Sequence, residues 1–137
     1  MNDYIKNLLI KASRDLKTAE ILYNLKTNEE HTESICFHSQ QSIEKFLKAT
    51  LINNEVNFPR THNLDFLLKK CIEIDESFSG LNVDNITDYA VDIRYAEDFY
   101  IPSTEEARVA LYKAKQMKDF VLARFLLTDD DLKLFPQ

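Results

Sequence analysis

The amino-acid sequence predicts an all-α fold, an antiparallel bundle of about five helices, from three observations. Glycine occurs once in 137 residues, as Gly80, where ordinary usage near 7% would supply about ten. Tight hairpin turns draw on glycine for positive φ, so a sandwich or barrel with many such turns is hard to build from this chain. Apolar residues recur at steps of three and four over long stretches, the period of a helix with one buried face. Those stretches are joined by short polar connections, which favours antiparallel neighbours.

The first helix is expected from Tyr4 to about Lys26, with Leu8, Leu9, Ala12, Leu16, Ala19, Leu22 and Tyr23 on one stripe. Asn2 or Asp3 can cap it, because a short side-chain oxygen satisfies the free N–H groups of the first turn. Thr27-Asn28-Glu29-Glu30 is a polar connection. The second helix runs from about Thr32 to Asn53, with Ile35, Cys36, Gln40, Ile43, Leu47, Thr50 and Leu51 turned inward. Asn53-Asn54 stops it, and Pro59 drives Phe58 toward an extended conformation.

Thr61 or Asn63 caps a third helix carrying Leu64, Leu67, Leu68 and Cys71, which ends near Ile74. Residues 75–84, with Gly80, read as a loop. Asn85 is expected to start a fourth helix with Ile86, Tyr89, Ala90, Ile93 and Glu97 on one face. Pro102 ends that pattern. Ser103-Thr104-Glu105-Glu106 is a capping box, in which Ser103 and Glu106 each satisfy the other's backbone donor. The last helix continues to about Leu127 through Ala107, Ala110, Leu111, Ala114, Met117, Phe120, Val121 and Phe125. This makes a single domain over residues 1–127. The tail, 128–137, has three consecutive acids and then Leu132, Leu134 and Phe135, and is expected to fray or to dock only against a partner.

Several chemistries are excluded or disfavoured. Glycine-rich phosphate loops cannot be built. No apolar run approaches the ~20 residues of a membrane span, and the N-terminus lacks a signal-peptide pattern, so a cytoplasmic protein without membrane contact is expected. Cys36 and Cys71 are too few for a zinc-ligand set or a disulfide framework, and both fall on apolar helical faces, where thiols are inert. None of His31, His38 and His62 lies three residues after a glutamate, the spacing a di-iron bundle needs, so no metal is expected.

Two polar constellations remain. Gln41, Glu44, Lys45 and Lys48 lie at helical spacing on one flank of the second helix. Taken by themselves they read as a solvated face with a Glu44–Lys48 pair worth ~0.3 kcal/mol. The second is Asp92 to Tyr100. Residues 73–106 hold ten acids and a single base, Arg94, a net of −9. The rest of the chain holds thirteen acids and sixteen bases, a net of +3 within the overall −6. Arg94 either pairs with its own helix or is reserved for a phosphate or a partner's carboxylate, with Tyr95 or Tyr100 beside it.

The run His38-Ser39-Gln40-Gln41-Ser42-Ile43-Glu44-Lys45-Phe46-Leu47-Lys48-Ala49 resembles the second-helix pattern of the HEPN family, Gln-x-x-Glu-Lys-x-Leu-Lys-Ala. Pro59-Arg60-Thr61-His62-Asn63-Leu64 is similar to its Thr-His-Asx-Leu turn, and Arg94-Tyr95-Ala96-Glu97 to its Arg-Tyr-Pro-Asp element. The likeness runs in order over residues 4–127. It implies a bundle of about five helices, homodimeric in most members and often encoded beside a minimal nucleotidyltransferase. Members divide into ribonucleases and non-catalytic forms that bind nucleotides or partners.

The ribonuclease branch has an arginine followed, after four to six residues, by a histidine. Here Phe99, Tyr100 and Ile101 occupy that window after Arg94, and Arg14, Arg60, Arg108 and Arg124 also lack a histidine there. Attack by a 2′-hydroxyl needs a group that exchanges a proton near neutral pH. A tyrosine at Tyr100, with a reference pKa of ~10, is a poor base at pH 7.

The resemblance therefore implies a non-catalytic domain that binds a nucleotide such as ATP, a minimal nucleotidyltransferase, or both, in a toxin–antitoxin-type pair. Arg94 would contact phosphate, Gln41, Glu44, Lys45 and Tyr95 would line the adjoining groove, and Tyr100 would be the acceptor of any modification. A ribonuclease toxin with His62 as a displaced catalytic residue is the alternative, disfavoured by the acidic balance. A purely structural dimerisation module centred on Phe99, Tyr100 and Ile101 is another.

Overall fold

The computed structural model describes residues 1–90 and 100–135. Five α-helices lie in the described residues: α1 (Asp3–Tyr23), α2 (Thr32–Asn53), α3 (Leu64–Ile74), α4 (Thr104–Arg124) and the short α5 (Asp129–Lys133). Single 3-10 turns occur at Asn28–Glu30, Glu76–Gly80 and Thr87–Ala90, and no strand is present among the described residues.

Four of the five helices begin where a side chain takes up an orphan N–H group, and α2, preceded by His31, has no side-chain cap. Asn2 Oδ1 accepts the Ile5 N–H at 2.8 Å, and Asn63 Oδ1 accepts the Phe66 N–H at 3.0 Å. Ser103 and Glu106 form the expected reciprocal box at the start of α4, at 3.0 and 2.8 Å. A second box, Thr128 with Asp131, opens α5.

The core runs along α2, which packs against α1, α3 and α4. Leu9 and Leu16 of α1, Ile35, Ile43, Phe46 and Leu47 of α2, and Leu64, Leu67 and Met117 around them are all removed from water. Each such side chain contributes about 1.5–3 kcal/mol relative to an exposed one. Ala12, Ala49, Ala110 and Ala114 are also fully buried, and small residues of this kind let helices approach closely. At that contact the Ser42 hydroxyl donates to the Ala12 carbonyl at 2.8 Å.

Two sequence expectations are corrected. No helix begins at Asn85, which instead takes φ 65°, a conformation asparagine tolerates. The Ile86 N–H closes a turn onto the Val83 carbonyl, and Thr87–Ala90 forms one 3-10 turn that still buries Tyr89 and Ala90. Ile93 and Glu97 lie outside the described residues. Residues 128–135 of the tail are neither frayed nor left for a partner. Leu132 is 5% exposed in the core, Phe135 packs against that core, and the Lys6 ammonium lies 5.3 Å from the Phe135 ring. The Thr128 box and the Lys118–Asp129 ion pair hold α5 in that position.

In the expected loop, Phe78 is buried edge-to-face on Phe120 at 4.7 Å, and Gly80 does not use positive φ. No described helix is long and apolar enough to cross a membrane.

Candidate functional site

The flank of α2 expected to be a solvated face is a partly buried polar network. Glu44 is 5% exposed. A carboxylate so placed needs donors on both oxygens, since burying an unpaired charge is costly. Its Oε1 takes hydrogen bonds from Gln40 Nε2 at 3.1 Å and His62 Nδ1 at 2.8 Å, and its Oε2 pairs with Lys48 Nζ at 3.0 Å. Gln40 Nε2 also reaches the His62 carbonyl, and Gln40 Oε1 accepts from Gln41 Nε2 at 2.7 Å. Glu44 and Gln40 therefore clasp the turn before α3 onto α2. Gln40 and Glu44, one helical turn apart, and the Thr-His-Asn turn, separate in the chain, are two halves of this contact.

A second carboxylate, on α1, is held in a similar way by side chains of α2. Asp15 on α1 accepts from His38 Nδ1 at 2.9 Å and pairs with Lys45. Burial raises the Asp15 carboxyl, but hydrogen bonds from His38 and Lys45 outweigh it and hold the group below the usual carboxylate range. Asp15 was not singled out from sequence. Its signal was an acid on the flank of the first stripe, between Ala12 and Ala19.

The third cluster lies at the start of α4. Tyr100 is 51% exposed and donates its hydroxyl to Glu106 Oε1, which also accepts from Tyr89 at 3.2 Å. The hydrogen bond to Glu106 raises the Tyr100 pKa, since it favours the protonated phenol. Burial pulls Glu106 upward, and the bonds from Tyr100, the Ser103 N–H and Tyr89 overcome it, leaving the carboxylate ionised. Glu106 was read from sequence only as a cap, and it holds both tyrosines as well.

The structure thus brings Gln41, Glu44 and Lys45 together on α2, with Gln41 and Lys45 half-buried. It puts Tyr100 in a separate cluster, and no hydrogen bond or ion pair joins the two among the described residues. Arg94 and Tyr95 lie outside the described residues, as does Phe99. His62 Nδ1 is bonded to Glu44 across the fold, from the turn before α3 to α2. Burial pushes the Cys36 and Cys71 thiols up to about 12, so neither supplies a thiolate near neutral pH. Among the described residues no group of three or more histidine, cysteine or acidic side chains could hold a metal ion.

Comparison with known proteins points one way. The family model described as "HEPN domain" matches residues 5–124. A protein of Methanocaldococcus jannaschii named "Putative toxin MJ1304" is 33% identical over 106 residues. That alignment covers 71% of this chain but 66% of the relative, just under two thirds of its length. No solved structure matches.

Proposed function

The chain belongs to the HEPN domain family, and from that membership we propose that it is the non-catalytic HEPN member of a toxin–antitoxin-type pair, binding a minimal nucleotidyltransferase partner that modifies it. The observation that carries this reading is Tyr100. It stands where the ribonuclease branch would need a histidine, and its proton is bonded to Glu106. A raised phenol pKa disqualifies it as a base, but an exposed hydroxyl bonded to an ionised carboxylate suits an acceptor. In nucleotidyl transfer the Tyr100 oxygen attacks the α-phosphorus of ATP, pyrophosphate leaves, and the phenolic proton passes to Glu106. The partner supplies ATP binding and the transfer site. Arg94 is assigned to phosphate, and Gln41, Lys45 and Tyr95 to the adjoining surface. The cytoplasm and a homodimer belong to the same proposal.

The experiment is incubation of the purified chain with magnesium, ATP and the protein encoded beside it. The expected result is a stable complex and a mass gain of one nucleotidyl group, lost in Tyr100→Phe. Neither complex nor mass gain would contradict the proposal.

The relative's name supports a second reading, a ribonuclease toxin. His62 is then the catalytic residue to test. Its side chain is 55% exposed and its Nδ1 is oriented by Glu44.

A further inference from the structure

A groove opens between α1 and α4, on the flank of α4 opposite the Tyr100 cluster. Arg108, which lines it, is two positions beyond Glu106 and so about 200° around the helix. The two helices run antiparallel along it. Ile10 and Lys118 line a cavity of about 570 Å³ at one end, and Tyr23 and Arg108 line one of about 200 Å³ at the other. Glu20 borders both, so the two adjoin, and α5 closes the wider end with Leu132 and Lys133. Along α1 the groove runs from Ile10 to Asn24, roughly 21 Å of helix.

Its floor is apolar and its rim is basic. Ile10, Leu111 and Leu132 are buried at the base, and Tyr112 stands 55% exposed on the rim. Six basic side chains and two acidic ones line the groove, on a chain whose formal charge is −6. Three of the bases are engaged, Arg14 within the chain, Arg108 with Glu105 and Lys118 with Asp129. The other three are available. Lys17 has no ion-pair partner among the described residues, Lys133 has only an exposed contact to Asp130 at 3.7 Å, and Lys115 only a loose one to Glu20 at 3.9 Å. The chain's own tail samples what this groove accepts. At its end Asp129 pairs with Lys118, while Leu132, one turn on, is buried.

We propose that this groove is a docking surface for an acidic amphipathic helix of a partner protein, laid between α1 and α4 and abutting α5. A helix of about fourteen residues spans it. Apolar side chains at three- and four-residue spacing cover Ile10 and Leu111 and pack against Tyr112, a residue type enriched among interface anchors. Carboxylates on the flanks of that helix pair with Lys17, Lys115 and Lys133. Such rim contacts set partner choice and association rate more than affinity. The apolar floor favours a helix over a nucleic-acid strand, whose phosphates would use the cations and leave the floor uncovered.

This surface needs neither ATP nor Tyr100, so it can fail while the proposed function stands, and the reverse. The test is fluorescence anisotropy of the full chain with a labelled helical peptide of about fourteen residues, leucines on one face and glutamates on the other. Two control peptides carry lysine for glutamate or serine for leucine. Lys17→Glu/Lys133→Glu and Tyr112→Ala change exposed side chains in different parts of the groove, and circular dichroism checks that each variant folds. Lys17→Gln/Lys133→Gln serves if the first does not. The expected result is binding of the acidic peptide that weakens at least tenfold in the charge variant, and severalfold in Tyr112→Ala or on raising the salt. Both control peptides should bind less tightly. No binding of the acidic peptide, equal binding of the lysine peptide, or equal affinity in wild type and both variants would overturn the proposal. Tighter binding of a single-stranded RNA, lost in the charge variant, would also overturn it and assign the groove to nucleic acid.

Discussion

Glu44 illustrates what a single side chain can hold in this fold. Its three donors come from one turn before, one turn after and the connection to α3, so its removal opens the α2–α3 contact and strands Gln40. Glu44→Ala should cost about 1–3 kcal/mol, the usual penalty for unsatisfied buried partners. A thermal melt checks this: the Tm should fall by several degrees with helical content kept. An unchanged Tm would show that the clasp carries no energy.

Asp15 makes a pH prediction. Its folded pKa is below its unfolded value of ~3.9, so its contribution is complete above that value and is lost as pH falls through the folded pKa. Urea midpoints should therefore drop on acidification below about pH 4, and Asp15→Asn should remove part of that slope. Identical slopes would contradict the assignment. Gln40 was legible as buried because it lies in the apolar stripe. Glu44 was not, because the side chain that covers it from the turn before α3, His62, is eighteen residues away, in a stretch that periodicity does not encode.

At the scale of elements, a chain with one glycine must end its helices on other residues. Glu55 after α2 and Leu126 after α4 both take φ 57°. The Val56 N–H then reaches the Leu51 carbonyl, and the Leu127 N–H the Leu122 carbonyl, at 3.0 Å each. A left-handed non-glycine residue costs roughly 1–2 kcal/mol, against about 0.5–1 kcal/mol of glycine entropy. Leu126 projects into solvent and has little packing to lose. Leu126→Gly should therefore stabilise the protein by about 0.5–1 kcal/mol, measured by denaturant unfolding. A loss of stability would mean that Leu126 makes contacts the fold needs.

The caps at Asn63 and Ser103 were legible as short polar side chains placed just before apolar periodicity. The same chemistry at Thr128 and Asp131 was present in the sequence, but a helix of five residues is too short to show a period. Asn85 misled for a related reason. A residue that caps helices is equally at home in left-handed turns, and only the chain around it decides.

For the whole molecule, the order of motifs along the chain identified the family before any contact was known, and the matched span of residues 5–124 agrees with it. The sites were less legible. Sequence grouped Gln41, Glu44, Lys45 and Tyr100 into one surface, whereas the fold separates a clasp on α2 from a tyrosine held at the start of α4. The cavity under α5 was invisible because its walls come from two separate helices and a tail expected to be loose. Charge segregation, by contrast, could be counted from the residues alone.

The proposed function rests on Tyr100, which stands where the ribonuclease branch has a histidine, its proton bonded to Glu106. Its most direct test is incubation of the purified, unmodified chain with single-stranded RNA at pH 7. The account predicts no cleavage above the buffer control. Cleavage that disappears in His62→Ala or Arg94→Ala would contradict it and establish the ribonuclease reading instead.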